Sequence, residues 1–171
     1  VAYKTNAGTA TGWNTSLKAS QGEHLEAGLK QAFAGRGLLN LSVFRTRTDD
    51  EIAVAVNASG RATYQNVGRT ERHGAEAALA WPLALAWSVY SSAAWTQASY
   101  RDPFISTAAG NTNVVPAGND LPGVPQQTAF AELQWRPAQG WHAALEARHT
   151  GRIWANDTNP ASADGYTACA L

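Results

Sequence analysis

Two tryptophan pairs, each bracketing a short turn, restrict what this chain can fold into more than any other feature. Trp135 and Trp141 flank Pro137-Ala-Gln-Gly140, and Trp81 and Trp87 flank Pro82 to Ala86 at the same six-residue spacing. Around the later turn the chain alternates strictly. Ala129, Ala131, Leu133 and Trp135 run in, and Trp141, Ala143, Leu145 and Ala147 run out. Residues two apart on a strand share a face, so the hairpin has one small, apolar face edged by Trp. Its other face carries Glu132, Gln134, Glu146 and Arg148. Pro sets φ and Gly accepts left-handed geometry, which suits both to the turn. Taken alone, this hairpin fits a soluble sheet packed on a core as well as a membrane β-barrel whose strands leave the lipid at the Trp level.

The rest of the chain separates the two. A soluble core has no reason to repeat Trp pairs at the same end of successive hairpins. The stretch after Trp87 places Val89, Ala93 and Trp95 on its face, with Tyr90, Ser92, Ala94 and Thr96 opposite. Trp87 and Trp95 are eight residues apart. At ~3.3 Å per residue and a tilt near ~40° that is about 20 Å along a barrel axis, close to the ~25 Å apolar band of a membrane barrel.

Similar alternation predicts a strand over Glu23–Phe33, with Leu25, Ala27, Leu29 and Phe33 against Glu26 and Lys30. A second begins at Leu38, with Leu39, Leu41 and Val43 against Asn40 and Ser42. The chain turns polar at 45–50, then rises and returns over 51–66 as a hairpin tip. A third strand over Arg69–Trp81 sets Ala75, Ala77, Leu79 and Trp81 against Arg72, Gly74 and Glu76. Residues 1–20, 101–125 and 153–165 read as loops, and Tyr166–Leu171 as a last strand. Connections thus alternate short and long. The expected fold is all-β: an antiparallel transmembrane β-barrel segment of about seven or eight long strands, with short periplasmic turns and long extracellular loops.

Lys plus Arg and Asp plus Glu are each 13 in 171 residues, so the formal net charge is zero. A nucleic-acid surface should be basic, and none is expected. Charged residues are 15% of the chain, below the roughly 25% of a soluble domain. The single cysteine, Cys169, excludes an intrachain disulfide and reads as a small packing residue. No apolar run is long enough for a membrane helix, which leaves β-barrels open. The first residues carry no signal-peptide pattern, so the chain reads as cytosolic or as a piece of a processed protein. No catalytic constellation or cofactor motif emerges, and Gly35-Arg-Gly37 is not followed by a helix pattern. His24, His73, His142 and His149 lack metal-ligand spacing. Glu23-His24 and Glu71-Arg-His73 read as strand residues of a polar lumen or its rim. Asn14, Asn40, Asn57 and Asn156 head formal glycosylation sequons, as chance allows in this composition.

Asn14-Thr-Ser-Leu-Lys18 followed by Glu23-His-Leu-Glu-Ala-Gly-Leu-Lys30 resembles the barrel of TonB-dependent outer-membrane receptors, with Ala19-Ser20 replacing a usual Pro-Glu. Phe44–Ile52, Tyr64–Gly68, the run Gly74–Ala78, Leu121-Pro-Gly-Val-Pro125 and Tyr166-Thr167 continue the likeness in order. The resemblance implies residues 1–171 of a partial barrel, with no plug domain and truncated before the terminal strand. It implies TonB-dependent uptake of an iron chelate, a ferric siderophore, in the full-length protein at the outer membrane of a Gram-negative bacterium. The implied partners are outer-membrane lipid, the siderophore, the TonB system and the plug domain, with no cofactor and no enzymatic activity. Another outer-membrane barrel (a porin or adhesin) and a soluble β-sandwich binding module are the alternatives. Arg45, Arg47, Arg61, Tyr64, Tyr100 and Arg101 are candidate ligand contacts on the extracellular side. Trp81, Trp87, Trp95, Trp135 and Trp141 are candidate membrane-interface aromatics. Glu26, Lys30, Glu76, Glu132, Glu146 and Arg148 are expected to face the lumen.

Overall fold

The computed structural model describes residues 3–6, 9–13, 15–33, 36–58, 61–108 and 111–171. The described residues hold strands and no helix. β1 (Tyr3–Asn6) and β2 (Thr9–Trp13) pair with each other. Three long hairpins follow: β3 (Gln21–Phe33) with β4 (Gly37–Asp49), then, after the short β5 (Ile52–Ala58) and β6 (Arg61–Asn66), β7 (Thr70–Ala84) with β8 (Trp87–Tyr100). β9 (Phe104–Ala108) and β10 (Asn111–Val115) precede the third, β11 (Gln127–Trp135) with β12 (Ala143–Thr150). β13 (Ile153–Trp154) and β14 (Ser162–Ala163) are minimal, and β15 (Tyr166–Ala170) closes the chain.

The main sheet has seven strands in the order β15-β12-β11-β8-β7-β4-β3, all antiparallel. Its register sorts side chains into two faces, because partners across a ladder point the same way. One row runs Leu29, Leu41, Ala77, Ala93, Ala129, His149 and Thr167 across the whole sheet. The same face holds Ala27, Val43, Ala75 and Trp95 on one side of that row. On the other side it holds Trp81, Val89, Leu133 and Leu145, then Trp87 opposite Trp135. The opposite face carries Lys30, Asn40, Ala78, Ser92, Phe130 and Arg148 in one row.

The apolar face is uncovered. Leu25, Leu29, Val43 and Leu145 are 63%, 55%, 57% and 52% exposed. The buried cluster of Val67, Ala98, Tyr100, Val115 and Leu121 lies instead at the long-loop end, with Ala53, Phe104 and Val124 against it. A soluble sandwich would bury the sheet face itself, since monomeric soluble proteins rarely expose apolar patches beyond roughly a few hundred Å².

Several expectations need correction. Residues 1–20 hold the pair β1–β2, and 101–125 hold β9–β10; short runs of Thr, Asn and Ala hid both. β5 also pairs in parallel with β9, so two loops build one four-stranded sheet, β10-β9-β5-β6. β12 starts at Ala143, leaving Trp141 before it and 75% exposed, with its face outside the register. Cys169 is exposed rather than packed and sits opposite Ala147 on the apolar face.

Candidate functional site

β4, β7 and β8 run on past the Trp95 level towards the long loops, and the alternation carries charge where it carried alkyl groups below. Glu71 stands opposite Arg47, two residues beyond the level where Arg45 faces His73. Its side chain is 7% exposed and gathers cations. Arg45 Nη2 donates to Oε2 at 2.6 Å, Arg101 Nη2 to Oε1 at 2.5 Å, and Arg47 Nε to Oε2 at 3.4 Å. His73 Nδ1 lies 3.6 Å from Oε1. The Arg45 and Arg101 hydrogen bonds outweigh burial and hold the Glu71 carboxyl at about 2. Beside it Arg69 grips Asp102 with Nε at 3.0 Å, Nη2 at 2.8 Å and its backbone N–H at 2.9 Å. These bonds hold Asp102 at about 2 as well.

The loops 101–126 and 151–165 form a second construction. Tyr100, 3% exposed, donates its hydroxyl to Asp157 Oδ1 at 2.7 Å. Burial first, and the Asp157 carboxylate second, push the phenol far above its usual range. Asn119 donates to the Asp157 carbonyl at 2.9 Å, and Asn159 Nδ2 to the Asp120 carbonyl at 3.0 Å. Asp120 Oδ2 accepts from Trp154 Nε1 at 2.9 Å and Gln126 Nε2 at 3.1 Å. The two loops are therefore tied at both side chain and backbone. Tyr100→Phe should leave the Asp157 carboxylate short of a donor and loosen this clasp by about 1–2 kcal/mol. Amide exchange should quicken roughly 5- to 30-fold at 118–121 and 155–159, with the β7–β8 ladder unchanged; equal protection in the variant would show that the hydroxyl holds nothing.

On the face opposite the Trp side chains, Glu26, Lys30, Glu76, Glu132, Glu146 and Arg148 all fall on the same side by register. Arg148 lies over the Phe130 ring at 5.1 Å, and Tyr90 packs against Phe130 at 5.9 Å. His24 donates to or accepts from Thr46 Oγ1 at 2.8 Å and lies by Phe44 at 6.3 Å. Trp81, Trp87, Trp95 and Trp135 share the apolar face, and Trp87 and Trp135 meet at 6.2 Å.

The six residues expected as ligand contacts do not form one site. Arg45, Arg47 and Arg101 converge on Glu71, and the register sets Arg45 and Arg47 on the side of Trp95. Glu71 and His73, expected in the polar lumen or at its rim, lie at the long-loop end on the side of Trp95; His73 packs edge-on to Trp95 at 5.8 Å. Tyr100 is enclosed in the clasp on the other side. Tyr64 is 39% exposed on β6, and the Arg61 side chain lies outside the described residues. Sequence reasoning missed Asp120 and Asp157, because no local pattern marks two loop carboxylates as parts of one clasp.

The sheet order, bare apolar face and alternating connections call for comparison with known barrels. The family model described as TonB dependent receptor-like, beta-barrel matches residues 2–168. The chain belongs to this family. It is an outer-membrane β-barrel segment of a Gram-negative bacterium, with short periplasmic turns at the Trp81, Trp87 and Trp135 end and long extracellular loops at the other. Solved structures agree in fold. The ferric yersiniabactin uptake receptor FyuA from Yersinia pestis is 18% identical with a TM-score of 0.67, over 88% of this chain and 21% of that one. The ferric-catecholate import receptor Fiu from E. coli K12 is 22% identical with a TM-score of 0.65, over 99% and 22%. The siderophore receptor PiuA from Acinetobacter baumannii is 20% identical with a TM-score of 0.66, over 86% and 21%. The chain spans about a fifth of the length of these receptors.

Proposed function

We propose that this chain is one part of the barrel wall of a receptor that takes up a ferric siderophore through the TonB system. The observation that carries this reading is the family match over residues 2–168, with three similar structures that are siderophore or ferric-chelate receptors. In this reading the apolar face meets lipid and the Trp side chains mark its edges. The polar face, with Glu26, Lys30, Glu76, Glu132, Glu146 and Arg148, lines the lumen around a plug domain contributed by the full-length receptor. Catecholate chelates of ferric iron are anionic, and Arg61 and Tyr64, on the loop sheet, remain candidate contacts for a cargo of that charge. Tyr100 serves the same end indirectly by fixing the loop above the lumen. No catalytic step is assigned to any residue. The test is uptake of radiolabelled iron by a strain whose one importer is the full-length receptor. Accumulation from one class among hydroxamate, catecholate and phenolate chelates, lost on deleting TonB, is expected. Uptake of none of these, or uptake that persists without TonB, would overturn the reading.

A further inference from the structure

We infer that Arg45 and Arg47 form an outward-facing site for the phosphate of an anionic lipid headgroup in the outer leaflet. The inference rests on the apolar face meeting lipid, and it is independent of the cargo.

Register places the site. Arg45 pairs with Leu25 and His73, in the first row on the apolar face beyond Ala27, Val43, Ala75 and Trp95. Arg47, opposite Glu23 and Glu71, is in the second. One row is about 7 Å along a strand, so at a tilt near ~40° Gln97 and Ser99, which share these rows on the strand of Trp95, stand roughly 5 and 10 Å above it, and two tilted strands at ~4.8 Å spacing displace Arg45 and Arg47 from those heights by about 6 Å. The headgroup layer on each side of a ~30 Å hydrocarbon core is about 5–7 Å thick. Both groups therefore lie within reach of the headgroup layer, on the surface that faces lipid. An arginine there does not meet a cargo passing through the lumen.

Charge and contact agree with that depth. The row nearest the lipid holds Arg45 and His73 and no carboxylate, while Glu71, Glu23 and Asp49 stand in the rows beyond it. Glu71 is enclosed by its cations and orients them. Arg45 directs Nη2 and Arg47 directs Nε at it, one N–H group each of the five a guanidinium carries. Their side chains are 45% and 57% exposed, so the remaining donors are open to a phosphate in the fork geometry arginine favours. His73 against the Trp95 ring joins the cluster to the aromatic belt, and Leu25, 63% exposed, gives the top of an acyl chain an apolar neighbour. By contrast, Arg72 faces the other way, held by Glu51 at 3.2 Å.

The experiment uses the full-length receptor in neutral detergent micelles doped with phosphatidic acid or with phosphatidylcholine, read by native mass spectrometry and by lipid titration. The wild type should bind phosphatidic acid at least ~10-fold more tightly than phosphatidylcholine. Arg45→Gln with Arg47→Gln should lose at least ~10-fold of that affinity, and Arg72→Gln should keep it. Arg45→Lys with Arg47→Lys, which keeps the charge, should recover most of it; this separates a phosphate contact from a fold defect, as does an unchanged heat-unfolding midpoint. No preference for the phosphate lipid, or equal affinity in the double Gln variant, would overturn the proposal. Displacement of the lipid by inorganic phosphate at equal concentration would also overturn it, assigning the cluster to a free anion.

Discussion

Leu79→Arg should destabilise the assembled barrel by about 2–4 kcal/mol, and Ala78→Arg, one residue away, by less than about 1 kcal/mol. Leu79 lies across from Ser91 on the apolar face, and Ser91 is four residues from both Trp87 and Trp95. That places it midway between the two aromatic levels, where a charge on the lipid side is most costly. Ala78 belongs to the row of Lys30, Asn40 and Ser92 on the polar face, where an added guanidinium stays hydrated. Denaturant unfolding of the full-length receptor in lipid vesicles measures both. Equal costs at 78 and 79, or a larger cost at 78, would reverse the assignment of faces.

Which face is which was legible in the sequence because period-two alternation survives in every long strand. Leu25 to Phe33, Leu39 to Val43, Ala75 to Trp81 and Ala129 to Trp135 sort without knowledge of their partners. Register within a hairpin was less legible. The matched six-residue Trp spacings invite Trp81 to face Trp87, yet the turn closes with Ala84 opposite Trp87, and a bulge between Pro82 and Ala84 then shifts the ladder by one residue. Trp81 then pairs with Val89 and meets the Phe33 ring at 5.5 Å, while Trp87 pairs with Trp135 on the next hairpin. Trp135 likewise pairs with Ala143 and not with Trp141. The aromatic level is therefore built between hairpins, by contacts that no turn dictates.

The charged end was the least legible part. Residues 50–69 separate β4 from β7, and a connection of that length leaves the register between them undetermined by local chemistry. That register is what sets Arg47 opposite Glu71. Parity alone does assign Glu71 and His73 to the side of Ala75, since all three are odd positions on one strand. Reading charge as a mark of the lumen overrode that count. Above the lipid both faces meet water or headgroups, so charge there carries no information about inside and outside. The loop sheet and the Tyr100–Asp157 clasp depend on contacts between segments tens of residues apart, in stretches of Asn, Asp, Gly and Pro without a period.

Gly74→Ala should destabilise the barrel by about 2–3 kcal/mol, against the usual sense of such a change. Alanine elsewhere in a strand limits the unfolded chain and stabilises by about 0.4–1 kcal/mol, so the sign is diagnostic. Gly74 is opposite Phe44 on β4 and Thr96 on β8. A Cβ at this position would press into the Trp95 carbonyl oxygen and come within 2.9 Å of two carbons of the Phe44 ring. The carbonyl is backbone held in the β7–β8 ladder, so relief requires the strands to part. The Phe44 ring fills the space over the missing side chain, as aromatic residues do across from strand glycines. Phe44→Leu should therefore recover only the ring's share of the penalty when combined with Gly74→Ala, and the two changes should couple by about 0.5–1.5 kcal/mol. Gly28→Ala is the milder comparison, with a Cβ 3.1 Å from the Leu41 carbonyl oxygen. A double-mutant cycle on the unfolding of the full-length receptor reads each value. A Gly74→Ala receptor as stable as the wild type would show that β7 and β8 do not approach as closely as this structure places them.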